Sequence, residues 1–361
     1  MLRSLSPLAA LLLVAFLASA CGGDSTAPAD SPEAPADTAR VSAIPDAELP
    51  PDAEGPLVIY TGRKESLVGP LVDQFREATG IEVEVRYADD AALLATLAEE
   101  GDRSPADLLW SNTAGALGTA TERGLFTVLP DSVRVLPGQF VPASGEWIPV
   151  TVRFRVLAYD PARVDSAALP TSVDDLPGVE ALQGRIGWTP TYSSFQDFVT
   201  ALRVEGSDEM AGTWIDAMET SGAKAYPSNS PMLEALVAGE IDAALTNHYY
   251  VLRKNADGAN LAFHAFAPGD PGNLAMVTGA GVLDTSTRQR AARRFVAFLL
   301  SPEAQAFAAE TTREIPVTVG APSPEGFLPF ETAAQLAPSI SVERLSELDG
   351  TLTLLRDRGL L

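Results

Sequence analysis

The 361-residue chain contains few of the side chains that proteins use for disulfides, zinc sites or phosphate contacts. It has one cysteine, two histidines, and 25 basic against 48 acidic residues. A single cysteine excludes an internal disulfide, and the scarcity of Cys and His excludes a Cys/His zinc cluster. The formal charge of −23 argues against a nucleic-acid-binding protein, which needs a Lys/Arg surface. The length predicts two lobes plus tails rather than one core.

Long apolar runs are also missing. The run at residues 8–17 is too short for a comfortable membrane span. It follows a short positive start and precedes small residues that end at Cys21, which resembles a bacterial lipoprotein signal. Residues 1–20 are therefore predicted to be a signal peptide, removed before a lipid-bearing Cys21. Ala18 stands where such signals usually have a branched residue, and an ordinary secretory signal is the alternative. Either signal predicts a protein of the cell envelope, on the periplasmic or extracytoplasmic face.

Residues 21–55 are rich in Ala, Pro, Asp, Ser and Glu and nearly free of large apolar side chains. Such a composition cannot bury enough apolar surface to offset the entropy of ordering. We expect this segment to be a disordered tether between the lipid-bearing cysteine and the globular part.

Apolar runs of strand length then alternate with amphipathic stretches of helix length. Strands are predicted at 56–61, 81–87 and 106–110, and helices at 66–79, 91–100 and 113–123. This alternation predicts an α/β protein with a mainly parallel sheet flanked by helices. Ligands of such sheets lie at the carboxyl ends of the strands, where Arg63 and Asn112 occur.

A long β-like stretch at 147–159 is predicted to cross between the lobes. Further strands are expected at 184–188, 243–246, 261–265 and 275–283, and further helices at 286–300 and 302–311. The predicted organisation is residues 56–152 for the first part of lobe 1 and 153–268 for lobe 2. Residues 269–361 then return to lobe 1 and end in C-terminal helices.

Two adjacent tyrosines, Tyr249 and Tyr250, follow the short apolar strand at 243–246. Neighbouring side chains point in different directions, and each buried phenol needs a hydrogen-bond partner, so the pair fills a core poorly. It is well suited to aim two oxygens at a cleft, where a hard trivalent cation such as Fe³⁺ would bind. The alternative is that both tyrosines are half-buried surface aromatics.

Several short motifs in a fixed order make the chain resemble the periplasmic ferric-ion-binding proteins of ABC importers. The motifs are Tyr60-Thr-Gly-Arg-Lys-Glu65, Glu100-Gly-Asp-Arg-Ser-Pro-Ala-Asp107, Arg153-Phe-Arg-Val156, Pro190-Thr-Tyr-Ser-Ser-Phe195, Asn247-His-Tyr-Tyr250 and Pro271-Gly-Asn-Leu274. The resemblance implies a type II two-lobed clamshell that traps Fe³⁺ and delivers it to a membrane permease. It places metal ligands at Tyr249 and Tyr250, with a third from the loop of Tyr192.

The departures from that family are informative. Its best-known members also use a His in the first loop and a Glu after the third strand. Here these places hold Arg63 or Lys64, and Asn112. The tyrosine-rich branch, in which a synergistic carbonate completes the metal shell, therefore fits better.

Six residues are predicted to bind this anion. Arg63 and Arg153 present planar forks suited to carbonate, and Ser193 and Ser194 begin a helix whose free N–H groups favour an anion. Asn229 and Asn247 match family positions that touch the anion. Arg155 is expected to form an interlobe salt bridge. His248 and His264 are not expected to be ligands.

The sequence reading is thus a monomeric, lipid-anchored solute-binding protein of an ABC importer, with Fe³⁺ and carbonate as ligands. One alternative keeps the fold but binds a phosphonate- or sulfonate-like anion. A second is an envelope enzyme, which the absence of a nucleophile elbow, a phosphate-binding Gly-rich loop and a zinc cluster argues against.

Overall fold

The computed structural model describes residues 50–130, 133, 138–318 and 320–361. The described strands are β1 (Leu57–Thr61), β2 (Val83–Tyr87), β3 (Leu108–Ser111), β4 (Trp147–Tyr159), β5 (Ile186–Trp188), β6 (Lys224–Ala225), β7 (Ala243–Asn247), β8 (Ala262–His264), β9 (Ala275–Val282) and β10 (Ile315–Pro316). The described α-helices are α1 (Glu65–Thr79), α2 (Asp90–Glu100), α3 (Ala114–Glu122), α4 (Ser193–Glu205), α5 (Asp208–Thr220), α6 (Asn229–Ala238), α7 (His248–Ala256), α8 (Gln289–Leu299), α9 (Pro302–Phe307), α10 (Phe330–Leu336) and α11 (Leu348–Asp357).

The strands form one mixed sheet in the order β2-β1-β3-β9-β4-β7-β5-β6, with β8 and β10 also paired to β4. At one end β1 runs parallel to β2 and β3, and at the other β5 runs parallel to β6 and β7. We call the first end, with α1–α3, the first lobe, and the second end, with α4–α7, the second lobe. The central strands β4 and β9 are antiparallel to their neighbours, because they carry the chain between the two parallel ends.

Strand β4 joins the lobes. Its residues Trp147 to Phe154 pair with β9, and its residues Arg155 to Tyr159 pair with β7. All 13 residues are buried, as expected for a strand with packed elements on both faces. The predicted stretch at 147–159 is therefore confirmed as one strand with those bounds.

The predicted helical stretch at 302–311 is confirmed, but its second half is not an α-helix. Helix α9 ends at Phe307 and is followed by a π-helical turn, Ala308–Thr312. Arg313 then adopts a left-handed conformation with φ 59°, which is uncommon for a residue with a Cβ. Sequence periodicity does not distinguish a π turn from an α-helix, because the two differ only in which carbonyl each N–H selects.

The two ends of the described chain are tied to helices. The Asp52 carboxylate accepts hydrogen bonds from the backbone N–H groups of Arg290 and Ala291, at 2.9 and 3.0 Å, so the last residues of the predicted tether are held against the start of α8. Helix α11 packs on α4 and α5. No helix within the described residues is long and apolar enough to cross a bilayer. The predicted signal peptide, Cys21 and most of the tether lie outside the described residues.

Candidate functional site

The tyrosine pair lies where β7 passes into α7. Helix α7 begins directly after Asn247, which places Tyr249 and Tyr250 in its first turn with their ring centroids 4.3 Å apart. Tyr192 is the residue before α4, and its hydroxyl lies 3.0 Å from that of Tyr250. The second lobe thus brings all three predicted tyrosines together from two helix starts.

Burial controls the protonation of these phenols. It raises the pKa of Tyr192 and of Tyr250 above the ordinary value for a phenol, and the neighbouring Tyr249 raises both further. Arg153 and Arg63 act in the opposite direction on Tyr192 without cancelling the rise. Both hydroxyls are therefore protonated at neutral pH, so a cation that binds phenolate oxygen must displace their protons.

Two arginines face this group from β4 and the β1–α1 loop. Arg153 donates to the backbone carbonyl of Asn112 and, at 3.4 Å, to its side-chain oxygen. Arg63 donates to the same side-chain oxygen at 3.2 Å. Asn112 therefore holds the two predicted anion-binding arginines side by side, and Lys64 is exposed.

Glu314 is a site residue that sequence reasoning missed. Its two carboxylate oxygens accept hydrogen bonds from the two terminal nitrogens of Arg63 at 2.9 and 2.7 Å, and its side chain is fully buried. Burial acts to raise the pKa of Glu314, but Arg63 and Arg153 lower it to about 2. The residues are 251 positions apart, and no local pattern pairs an acid with a base at such a separation.

A group of buried polar atoms without hydrogen-bond partners lies at the ends of β5 and β7 and at the starts of α4 and α6. The atoms are Thr189 Oγ1, Ser194 Oγ, both amide atoms of Asn229, and Asn247 Nδ2. Buried polar atoms are normally paired, because each lost hydrogen bond costs about 1–3 kcal/mol. This set includes the predicted anion-binding Ser194, Asn229 and Asn247. Ser193 is half-buried at the start of α4.

Two further carboxyl groups were also missed, half-buried Asp90 and buried Asp197. Asp90 accepts from Ser111 Oγ at 2.9 Å and from the Asn112 N–H at 3.0 Å, and burial raises its pKa to about 6. Asp197 on α4 has one unpartnered oxygen, and burial raises its pKa to about 7. In the sequence, neither acid differs from an ordinary acid on the surface of a helix. Only the fold reveals how far each one is shielded from water.

Three expectations about other polar residues can be compared with the structure. The interlobe salt bridge predicted for Arg155 is wrong: it donates to Asn247 Oδ1 at 3.1 Å and to the Leu245 carbonyl at 3.0 Å, and no carboxylate among the described residues pairs with it. His248 Nδ1 accepts from the Phe154 N–H at 3.1 Å, and burial lowers the pKa of His248 to about 3. His264 contacts the Pro170 carbonyl at 2.8 Å.

Carboxylate, imidazole and thiol groups are the other common metal ligands. Within the described part of the chain, no three His, Cys, Asp or Glu side chains cluster in a way that could hold a metal ion.

Comparison with known proteins identifies the family. Residues 70–336 match the model of the bacterial extracellular solute-binding proteins. The chain is 32% identical to the major ferric iron-binding protein of Neisseria meningitidis over 84% of this chain and 93% of that protein. It is also 32% identical to the Fe(3+)-binding periplasmic protein of Serratia marcescens, over 82% and 90% of the two chains.

Among solved structures, iron-bound HitA from Pseudomonas aeruginosa matches with a TM-score of 0.78 and 34% identity, over 84% of this chain and 99% of that chain. This match confirms the predicted α/β fold of two lobes. The described sheet, the two facing lobes and the sequence matches lead to one conclusion: the chain belongs to the family of bacterial extracellular solute-binding proteins.

Proposed function

We propose that the protein is the Fe³⁺-binding component of an ABC importer, and that Tyr192, Tyr249 and Tyr250 bind the ion as phenolates together with a synergistic anion, carbonate. The observation that carries the proposal is the 3.0 Å approach of the Tyr192 and Tyr250 hydroxyls, with Tyr249 stacked beside them. The ferric-iron names of relatives that cover most of the chain support the choice of metal.

The chemistry of the donor set favours a hard trivalent cation. Three phenolates neutralise three positive charges, and softer divalent ions gain less from anionic oxygen. A bound cation can remove the proton of a ligand whose pKa in its absence is far above neutral, as metals do for water and thiols. The raised pKa values of Tyr192 and Tyr250 therefore make iron binding coupled to proton release.

The anion is proposed to bind between Arg63, Arg153 and the unpartnered atoms of Ser194, Asn229 and Asn247, with Ser193 contributing at the start of α4. Guanidinium forks and free helix N–H groups suit a small planar oxyanion. Closure of the lobes brings Arg63 and Asn112 of the first lobe to the phenols of the second.

The proposed setting is the cell envelope. The proposal also includes lobe boundaries near 152/153 and 268/269 and a monomeric state. It further includes cleavage before a lipidated Cys21, a tether, and delivery of the cargo to a membrane permease. It includes no catalysed reaction.

One alternative is favoured by a specific observation. The fully buried Asn229 leaves both amide atoms unpartnered, which fits an anion of a different kind as well as carbonate. The same fold would then bind an organic or inorganic anion, such as a phosphonate or sulfonate, and the tyrosines would serve as walls.

Absorption spectroscopy distinguishes the two. Adding Fe³⁺ with bicarbonate to the purified protein should produce a visible phenolate-to-iron charge-transfer band, and Tyr249→Phe should abolish or strongly weaken it. Tyr87→Phe, a matched change in the half-buried Tyr87 of β2, should leave the band unchanged. A protein that stays colourless with iron but binds a phosphonate would support the alternative instead.

A further inference from the structure

We propose that Glu314, presented by the turn Ala308–Thr312 and the left-handed Arg313, is a positioning residue that compensates the charge of Arg63 and fixes its orientation at the anion side of the iron site. The inference rests on the proposed function, which it deepens by assigning a residue that touches neither the metal nor the anion.

Glu314 contacts one side chain of the β1–α1 loop and one of β4. Its carboxylate binds both terminal nitrogens of Arg63, and one of its oxygens also accepts from Thr151 Oγ1 at 2.7 Å. Thr151 lies on β4 and contacts Thr278 on β9 at 2.8 Å. Glu314 therefore fixes the arginine to the two strands that run through the centre of the sheet.

The backbone before Glu314 adopts two uncommon conformations that place the Glu314 side chain against Arg63. If an α-helix continued through residues 308–314, the Glu314 side chain would point in a different direction from the one observed. The π turn and the φ of 59° at Arg313 redirect the chain into β10, which pairs with β4 at Val152 and Thr151. Such departures cost free energy and persist where surrounding contacts determine them.

The same turn also contacts the tyrosine side of the site. The Thr312 carbonyl accepts a hydrogen bond from Arg253, whose guanidinium lies 4.8 Å from the centre of the Tyr249 ring. Thr312 and Glu314 thus hold one arginine against a predicted metal ligand and another at the predicted anion site. The segment therefore contacts the tyrosine side of the site through the Thr312 carbonyl and the anion side through the Glu314 carboxylate.

Charge decides what the pairing does. With Glu314 in place, the buried positive charge of Arg63 is compensated, and Arg153 donates its hydrogen bonds to neutral oxygens of Asn112. Removal of the Glu314 charge would leave an uncompensated cation beside the iron site, where the local dielectric is low. That cation would repel Fe³⁺ and attract the anion.

The test uses Glu314→Gln, Arg63→Gln and the double variant in the mature protein. Fe³⁺ affinity is measured by competition with a chelator, and the bicarbonate concentration for half-maximal charge-transfer absorbance is measured separately. We expect Glu314→Gln to weaken Fe³⁺ binding at saturating bicarbonate by about tenfold or more, and to lower the half-maximal bicarbonate concentration. In the Arg63→Gln background the same change should alter Fe³⁺ affinity by no more than about threefold.

A purely structural role predicts a different pattern. Damage to the fold would weaken iron and bicarbonate binding together, in proportion to the loss of thermal stability. The matched control is Glu310→Gln on the same turn, where the side chain is exposed, and it should change neither affinity. If Glu314→Gln does not fold, Thr151→Val, which removes one hydrogen bond to Glu314, should shift both affinities in the same directions by a smaller factor.

The inference is overturned if Glu314→Gln matches the wild type, if both affinities fall together, or if its effect is equal with and without Arg63. These outcomes differ from failure of the proposed function, in which the wild-type protein itself shows no charge-transfer band with iron and bicarbonate.

Discussion

At the residue scale, the site combines neutral phenols with guanidinium groups whose charges are fixed. Tyr192 and Tyr250 keep their protons because burial disfavours the phenolate form, and at Tyr192 this outweighs the opposite effect of Arg63 and Arg153. The site without metal therefore carries no phenolate charge on these two residues, and under the proposed function the charge appears only when the cation replaces the protons.

This protonation makes iron binding dependent on pH. Because each bound phenolate releases a proton, we expect about one proton per phenol ligand to be released when Fe³⁺ binds at pH 7, and affinity to fall as the pH falls. A pH-stat titration with unbuffered protein measures the release directly. Tyr192→Phe should release about one proton fewer than the wild type.

The comparison of proton counts is decisive for Tyr192. If Tyr192→Phe released as many protons as the wild type, Tyr192 would be a neighbour of the metal rather than a ligand. The Tyr87→Phe variant is again the control, since Tyr87 lies on β2 of the first lobe.

At the element scale, the contact between α3 and α4 places a buried acid between the lobes. A Cβ added to Gly115 in the first turn of α3 would lie 3.8 Å from Asp197 Oδ1 on α4. Asp197 is almost completely buried, and one of its oxygens has no hydrogen-bond partner. Asp197 therefore lies beside the first turn of α3, as a carboxyl group that favours its neutral form.

Asp197 should make stability depend on pH. Its pKa rises from 3.8 in the unfolded chain to about 7 in the folded protein, so the folded state binds more protons between these values. The contribution of Asp197 to stability is therefore fully present below about pH 4 and is lost as the pH rises through about 7.

Asp197→Asn mimics the neutral acid without a titrating proton. We expect the variant to be more stable than the wild type at pH 8, by about 1–3 kcal/mol, and to lose most of this advantage at pH 4.5. Urea unfolding of the iron-free protein at both pH values measures the difference. An advantage of the variant that is equal at both pH values would contradict the assignment. Asp90, whose pKa burial raises to about 6, is present in both proteins and does not affect the difference between them.

At the scale of the whole molecule, the C-terminal segment spans parts of both lobes. Residues Arg344–Ser346 pack on α3 of the first lobe, and α11 packs on α4 and α5 of the second. Thr351 contacts Thr200 on α4 at 2.7 Å, and Arg358 pairs with Asp216 on α5 at 2.7 Å. The chain end therefore contributes to the stability of the second lobe although it follows the return to the first.

This arrangement predicts a stability cost away from the site. Leu355 on α11 is 0% exposed, so Leu355→Ala should lower the free energy of unfolding by about 2–4 kcal/mol through lost burial and a cavity. Urea unfolding measures the loss, and Leu361→Ala, at a residue that is 44% exposed, should change little. Fe³⁺ affinity of the folded Leu355→Ala protein should remain that of the wild type, and a large loss of affinity would show that α11 acts on the site.

The sequence by itself determined the order of strands and helices, the crossing strand 147–159 and the grouping of Tyr249 with Tyr250, because these depend on hydrophobic periodicity and on residues adjacent in the chain. Family motifs added Tyr192, Asn229 and Asn247 as expectations, and in the structure these residues lie at the starts of α4 and α6 and at the end of β7.

Only the tertiary structure decided the partners of the charged groups. Glu314 meets Arg63 across 251 positions, Arg155 bonds to amide and carbonyl groups instead of a carboxylate, and half-buried Asp90 and buried Asp197 have raised pKa values. The energy of a buried charge depends on which distant groups surround it and on how far water is excluded, and neither quantity is encoded in the neighbouring residues.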